Sequence, residues 1–289
     1  MMMSKIYQRM VMQSIFILFA FFVTLQSQAQ VSQKISANEW AFYGQEFYQK
    51  LKSNSMEKEH LAKILNSTHK VVKGKHDFLD NSCSQNCYRH TSVGYDDARK
   101  IMFGELFQQK DDKGQFVVDV YCSKKFYFKD VDEVSNMSNE VNIEHTWPQS
   151  KFNRQYNKDL QKSDMHHLYP TDSLANSRRG NYDFGEIGNR NDELNVHACD
   201  ISHLSHQDGE PVFTPPVKHK GNVARSLFYF SSHYDLEIKA DVEKMLRKWH
   251  EEDPVDAEEI KRHEQISAHQ NIRNPFVDHP ELVKMVENF

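Results

Sequence analysis

The middle of the chain, residues 141–180, constrains the fold most. Val141-Asn142-Ile143-Glu144-His145 is β-prone and stops ahead of Pro148, a polar and basic loop follows, and a second β-prone stretch, Met165-His166-His167-Leu168-Tyr169, ends at Pro170. Proline cannot donate to a sheet ladder and restricts the residue before it, so each stretch is held to strand length. Thr171, Asp172 and Ser173 then offer N-cap oxygens to a helix through Leu174, Ala175 and Asn176, which Gly180 terminates. The order is strand, loop, strand, helix.

The flanks read as helical. Residues 56–72 place Leu61, Ile64, Leu65 and Val71 on one helical face, and residues 96–107 repeat the pattern with Ile101, Met102 and Leu106. Between them residues 74–94 are polar and read as a loop. Residues 116–122 alternate, with Phe116, Val118, Val120 and Cys122 on one side of a strand. Near the C-terminus Val223, Leu227 and Phe230 share a stripe, and Val242, Met245, Leu246 and Trp249 fall at i, i+3, i+4, i+7. These stripes are core. With no linker and no repeat, the expectation is one α+β domain over residues 30–289.

Residues 1–29 are set apart from that domain. Lys5 and Arg9 precede an apolar run, residues 15–25, that is too short to span a bilayer, and Ser27-Gln28-Ala29 offers a small-x-small cleavage site. This is the layout of a signal peptide, an uncleaved anchor or buried helix being the alternative. The expectation is a mature chain from near Gln30 that is secreted or periplasmic, monomeric and free of the membrane.

Without Lys5 and Arg9 the 36 basic residues fall to 34 against 41 acidic ones, a formal charge of −7. That balance opposes tight, static nucleic-acid binding, but not an enzyme that must release its product. The bases concentrate in residues 149–180, where Lys151, Arg154, Lys158, Lys162, Arg178 and Arg179 face only Asp159, Asp164 and Asp172. Four cysteines, Cys83, Cys87, Cys122 and Cys199, suit an exported chain with two disulfides and three possible pairings. Cys83 and Cys87 are close enough to close a small loop. They lack a second close pair to complete a zinc site.

Glu144 and His145 end the first strand, and Asn176 lies one turn into the helix. Adjacent strand residues point to opposite faces, so Glu144 and His145 share a substrate only if the strand breaks there. A neutral imidazole suits a general base. Glu144 carboxylate and Asn176 amide oxygen are a sparse oxygen pair of the kind that holds Mg²⁺ and leaves most positions to water and phosphate. By spacing alone a Glu-His pair is common, and an asparagine near a helix start is more often a cap or a surface residue.

Four stretches go further. NIEHTWPQSKFN (142–153), DMHHLYPTDSLANSRRGNYDFG (164–185), GNVARSLFYF (221–230) and NIRNPFVDHPEL (271–282) resemble the endonuclease I family, extracytoplasmic nucleases of the ββα-metal (His-Me finger) superfamily. The similarity runs in the same order over most of the mature chain, from YDDARKIMF (95–103) onward. The resemblance implies a ββα-metal core within a mainly helical domain, His145 as general base, Glu144 as acidic metal ligand and Asn176 as amide metal ligand. It implies hydrolysis with one Mg²⁺ per site, Mn²⁺ or Ca²⁺ as substitutes, on DNA and RNA bound through phosphates, leaving 5′-phosphate and 3′-hydroxyl ends. His166 and His167 become supporting residues that pack or hydrogen-bond beneath the metal, and Arg179 either braces the helix or touches phosphate. The loop after His145 is short, so the family's phosphate arginine on the leaving side has no aligned counterpart. Arg154, Lys151 and Arg178 are the candidates, and the group orienting His145 is unassigned. Two other classes remain: a zinc hydrolase, opposed by the lack of any HExxH or compact His/Cys set, and a catalytically silent nucleic-acid-binding protein on the same scaffold.

Overall fold

The computed structural model describes residues 37–186, 194 and 196–289, so the leader expected over residues 1–29 lies outside the described residues. The chain divides into two compact units, residues 1–41 and 42–289. Of the first, only residues 37–41 are described, as the start of helix α1 (Ala37–Ser53). The second carries all remaining elements. Helices and four small sheets are segregated along it, an α+β arrangement.

Helix α2 (Lys58–Asn66) buries Leu61, Ile64 and Leu65 as their spacing predicts, but it stops six residues short of the expected end. The chain turns instead into β1 (His69–Lys70), which pairs with β2 (Phe78–Leu79) and β3 (Cys87–Tyr88), and Val71 is left exposed. Helix α3 (Tyr95–Ile101) widens into a π-turn over Met102–Leu106 that keeps Met102 and Phe103 buried. Strands β4 (Gln109–Asp111), β5 (Gly114–Val118) and β6 (Lys125–Phe128) form an antiparallel meander, followed by α4 (Val131–Asn136).

The strand expected over residues 116–122 ends at Val118. Asp119 is buried and its carboxylate accepts from the backbone N–H groups of Tyr121, Cys122 and Lys124, so a turn replaces the ladder. The expected one-sided alternation fails with it, since both Phe116 and Val117 are buried.

Strand β7 (Val141–His145) has its expected bounds and pairs antiparallel with β8 (Leu168–Asp172), His145 opposite Leu168 and Ile143 opposite Pro170. Between them lies α5 (Lys158–Ser163). The second strand starts later than expected, because Met165–His167 form a 3-10 turn capped by Asp164, whose side chain accepts from His166 N–H. It also runs through Pro170 instead of ending there. The Pro170 carbonyl faces away from β7 and accepts from Val120 N–H at 2.9 Å, so its missing N–H falls on the side where the ladder needs none.

Helix α6 (Ser173–Arg179) follows at once. Its N-cap Asp172 accepts from Leu174 and Ala175 N–H, and it ends at Gly180. Short β9 (Asp183–Phe184), β10 (His203–Gln207) and β11 (Glu210–Thr214) form a mixed sheet, and α7 (Lys220–Tyr234), α8 (Ala240–Glu252) and α9 (Ala257–Gln270) precede two one-turn helices, α10 (Pro275–Asp278) and α11 (Leu282–Met285). Helix α7 is buried along almost its whole length and forms the spine of the larger core with Trp147, Ala175, Phe213, Leu246 and Trp249. A smaller core takes Val141, Ile143 and Leu168 from the β7–β8 pair, with Met165 from the turn before β8 and Met102, Phe103 and Ile266. The face of the two-stranded sheet that carries Val141, Ile143 and Leu168 packs into this smaller core, which fixes its register. Among the described residues no helix is long and apolar enough to cross a membrane.

Of the three possible cysteine pairings the structure has Cys83–Cys87 and Cys122–Cys199. The second spans 77 residues and ties the Asp119 turn to the segment before β10. Loop-closure entropy makes it the more stabilising, about 4 kcal/mol against about 2 kcal/mol for the short loop. Cys122→Ala paired with Cys199→Ala is expected to lower the urea midpoint more than the Cys83/Cys87 pair, and equal losses would contradict this ranking.

A second lock joins α9 to α10. Buried Asp278 accepts from Arg273 at 2.7 and 2.8 Å and from Tyr43 O–H at 2.6 Å, and it meets His263 Nε2 at 2.9 Å. Burial opposes its charge, but His263 and the Arg273 guanidinium hold its carboxyl well below the usual range. A depressed carboxylate contributes stability that is complete above the unfolded value and lost as pH falls toward the folded one. Stability should therefore decline below about pH 4. Asp278→Asn should cost about 3–5 kcal/mol at neutral pH and flatten the acid limb, as read by denaturant midpoints against pH.

Candidate active site

Glu144 and His145 leave β7 on opposite faces, and the chain bends at Thr146 and Trp147. Both are buried.

Glu144 faces Arg179. The two side chains are each about 2% exposed, with Arg179 Nε 3.1 Å from Glu144 Oε1. The pair is an ion pair without hydrogen-bond alignment, since neither atom has a hydrogen-bond partner. Burial raises the Glu144 pKa, while Arg179 and then Tyr121 oppose the rise. Arg179 spends its other donors on the Thr146 carbonyl at 2.8 Å and the Gly180 carbonyl at 3.0 Å, and its guanidinium lies over the Phe184 ring. It braces the end of α6 against the end of β7.

Asn176 sits half-buried on α6, where its Nδ2 donates to the Ile143 carbonyl at 3.2 Å. That bond ties the amide to the residue before Glu144 and leaves the amide oxygen as the atom to offer a ligand. Glu144 Oε1, buried without a hydrogen bond, and a pre-oriented amide oxygen beside the same strand are hard oxygen donors of the type that suits Mg²⁺. The residues present fit that ion.

His145 is held from several sides. Its Nε2 lies 3.0 Å from the Lys162 carbonyl, Gln149 Nε2 lies 3.3 Å from its Nδ1, and Tyr95 stacks on the ring at 5.5 Å. His167 and Phe152 meet it edge-on. A carbonyl only accepts, so the ring proton sits on Nε2 and Nδ1 carries the lone pair. Burial pushes the His145 pKa down to about 4, against the pull of the Lys162 carbonyl, and Lys162 and Arg179 add to the depression. The imidazole is neutral at physiological pH. The orienting group is thus a backbone carbonyl, which no side-chain motif could have announced. Gln149 and Tyr95 lie in the stretches 142–153 and 95–103 that resemble the family, but neither was singled out as a site residue.

His166 and His167 are both interior. His166 Nε2 meets the Ile272 carbonyl at 3.3 Å and packs on Tyr229 and His263, while His167 Nε2 meets the Gln161 carbonyl at 2.9 Å and packs on Phe230. Burial holds both well below the usual imidazole range. His167 touches the His145 ring and His166 does not reach the Glu144 side.

Among the basic candidates, Arg154 and Arg178 are exposed, and Lys151 is exposed but paired with Asp183 at 2.6 Å. A cavity of about 270 Å³ opens beside Thr146 and Arg179, walled by Trp147, Tyr182 and Phe184 with Lys151 and Lys239 at its rim.

An extracellular ribonuclease of Bacillus subtilis (strain 168) is 35% identical over 158 residues, 48% of this chain and 51% of that protein. A periplasmic deoxyribonuclease of Aeromonas hydrophila is 27% identical over 117 residues, 40% of this chain and 48% of that protein. The chain spans about half the length of the curated relatives it matches. A family model described as Endonuclease I matches residues 78–281, which include β7, β8, α6 and every candidate site residue above. The chain belongs to the endonuclease I family.

Proposed function

We propose that this chain is a secreted or periplasmic, Mg²⁺-dependent endonuclease that hydrolyses phosphodiester bonds in DNA and RNA with little sequence preference. The observation that carries the reading is the locked tautomer of His145: Nε2 faces the Lys162 carbonyl, so Nδ1 is an unprotonated base beside the end of β7. In this reading β7, β8 and α6 are the ββα-metal core. Relatives named as ribonuclease and deoxyribonuclease support both substrates, and two disulfides suit an oxidising compartment. Removal of residues 1–29 would leave a monomeric enzyme of residues 30–289.

Glu144 and the Asn176 amide oxygen would hold the ion, and the Arg179 guanidinium opposes the rise that burial imposes on the Glu144 pKa. A bound Mg²⁺ supplies positive charge against the charge that develops on phosphate and on the departing 3′ oxygen. His145 Nδ1 takes the proton from the attacking water, and its ring is kept from turning by Tyr95 and the Lys162 carbonyl. Gln149 occupies Nδ1 until a water molecule displaces it. Cleavage on this side leaves 5′-phosphate and 3′-hydroxyl ends. Arg154, Arg178 and Lys151 lie where they meet solvent and provide the phosphate contacts.

His145→Ala should lower the cleavage rate by about 10²–10⁴-fold while DNA binding and Mg²⁺ affinity stay near wild type. Glu144→Gln and Asn176→Ala should weaken Mg²⁺ binding, so part of their activity returns as Mg²⁺ is raised, and Asn176→Asp should retain more than Asn176→Ala. Rates measured against Mg²⁺ concentration on plasmid, single-stranded DNA and RNA decide it. Rescue of His145→Ala by metal would overturn the division of roles, and binding without cleavage by the wild type would indicate a silent binding protein.

Contacts made mainly to phosphate carry little sequence information and weaken with salt. Mapped cut sites should scatter, and activity should fall as NaCl rises. A sharp recognition sequence would count against phosphate-led binding.

A further inference from the structure

Apart from Glu144 and Asn176, three buried ligating side chains from separate segments converge. His90 comes from the loop after β3, Asp164 from the turn ahead of β8, and His233 from the last turn of α7. One ligand atom of each lies within 4.8 Å of the other two. His90 Nδ1 and His233 Nε2 are 2.9 Å apart, while the outer nitrogens, His90 Nε2 and His233 Nδ1, are buried without hydrogen-bond partners. Asp164 accepts from Tyr229 O–H at 2.9 Å and Tyr234 O–H at 2.8 Å on one oxygen, and from His166 N–H at 3.1 Å on the other. All three donors are neutral, and among the described residues no lysine or arginine pairs with Asp164.

We propose that His90, His233 and Asp164 form a structural site for one divalent transition-metal ion of the zinc class, separate from the catalytic centre. Zinc takes imidazole nitrogen and carboxylate oxygen together, whereas Mg²⁺ favours oxygen donors and holds poorly to a pair of imidazoles. Burial pushes His90 down to about 3 and holds His233 well below its usual value, so both rings stay neutral and each keeps a lone pair. In the pair as it stands, one ring must donate its proton to the other. With an ion between them both inner nitrogens become ligands, the one inner proton shifts to the outer nitrogen of its own ring, and His90 Nε2 and His233 Nδ1 then each carry an N–H. Nitrogens on a tetrahedral zinc at about 2.0–2.1 Å sit roughly 3.3 Å apart, so the rings part by a few tenths of an ångström. The ion also gives buried Asp164 a counter-charge. The hydroxyls of Tyr229 and Tyr234 then act as the outer hydrogen bonds that orient a ligating carboxylate. Three protein ligands leave the fourth position to a water molecule.

Such a site ties the loop at His90 and the end of α7 to the turn that carries His166 and His167. Its role is to hold the fold, so its loss should register in stability and metal content rather than in the Mg²⁺ response.

The test loads the full folded chain with ZnSO₄, desalts it and measures zinc by mass spectrometry for wild type, His90→Ala, His233→Ala and Glu144→Gln. One zinc per chain retained by wild type and Glu144→Gln, lost from both histidine variants, is the expected result. Thermal melting of wild type should also fall when zinc is stripped by a chelator. Cobalt substitution of wild type alone covers the case in which the histidine variants do not fold, and should give the visible absorption of a tetrahedral site with nitrogen ligands. Folded wild type that retains no zinc, zinc kept by the histidine variants, or zinc lost with Glu144→Gln would each overturn the proposal.

Discussion

A single buried guanidinium organises the centre of this protein. Arg179 sits at the last residue of α6 and reaches back across the β7–β8 pair to the Thr146 carbonyl, to Gly180 at its own helix end, to Glu144 and to the face of Phe184. An arginine this enclosed is tolerable only when nearly all its donors are used and its charge is opposed. Those demands set where α6 ends, where β7 bends and where β9 begins. One donor is not fully used: Nε faces Glu144 without hydrogen-bond alignment. Glu144 Oε1 is thereby opposed by a positive charge without being saturated by a hydrogen bond.

The same arrangement separates two tasks that lie on neighbouring residues. Because a strand alternates its side chains, Glu144 enters the polar environment of Arg179 and Tyr121, while His145 enters the smaller apolar side with Tyr95, Phe152 and His167. The apolar packing that holds His145 also strips it of solvent, which lowers its basicity. The Lys162 carbonyl partly restores it and, by fixing the proton on Nε2, decides which nitrogen is available. Adjacent positions on one strand thus acquire opposite chemistry from opposite neighbours.

Parts of this layout were legible in the sequence because they follow from local rules. Strand β7, the Asp172 cap and Gly180 stop of α6, and the apolar stripes of α7 and α8 depend on residues within a few positions of one another. Features set by distant partners were not. The strand after Gly114 stops at Val118 because a buried Asp119 collects three backbone N–H groups, and Asp119 read as one more polar residue in an alternating run. Pro170 read as a strand end, yet it lies within β8 because Val120 supplies a donor to its carbonyl from outside the sheet. The disulfide partner of Cys122 depends on where the chain returns 77 residues later.

The candidate site divides along the same line. The places of Glu144, His145 and Asn176 on β7 and α6 were legible in local elements, while their proposed roles came only from the family resemblance. What surrounds them is mostly backbone: the Lys162 carbonyl on His145, the Ile143 carbonyl under Asn176 and the Thr146 carbonyl on Arg179. A carbonyl is present at every position, so its selection as a partner leaves no mark in residue identity. Arg179 shows the converse, since its basic character left bracing and phosphate contact both open and its burial sets that charge against Glu144. A basic side chain next to a catalytic motif is therefore read correctly only once its exposure is known. By that criterion Arg154 and Arg178 present their charge to solvent, whereas the neighbouring Arg179 turns its charge toward Glu144.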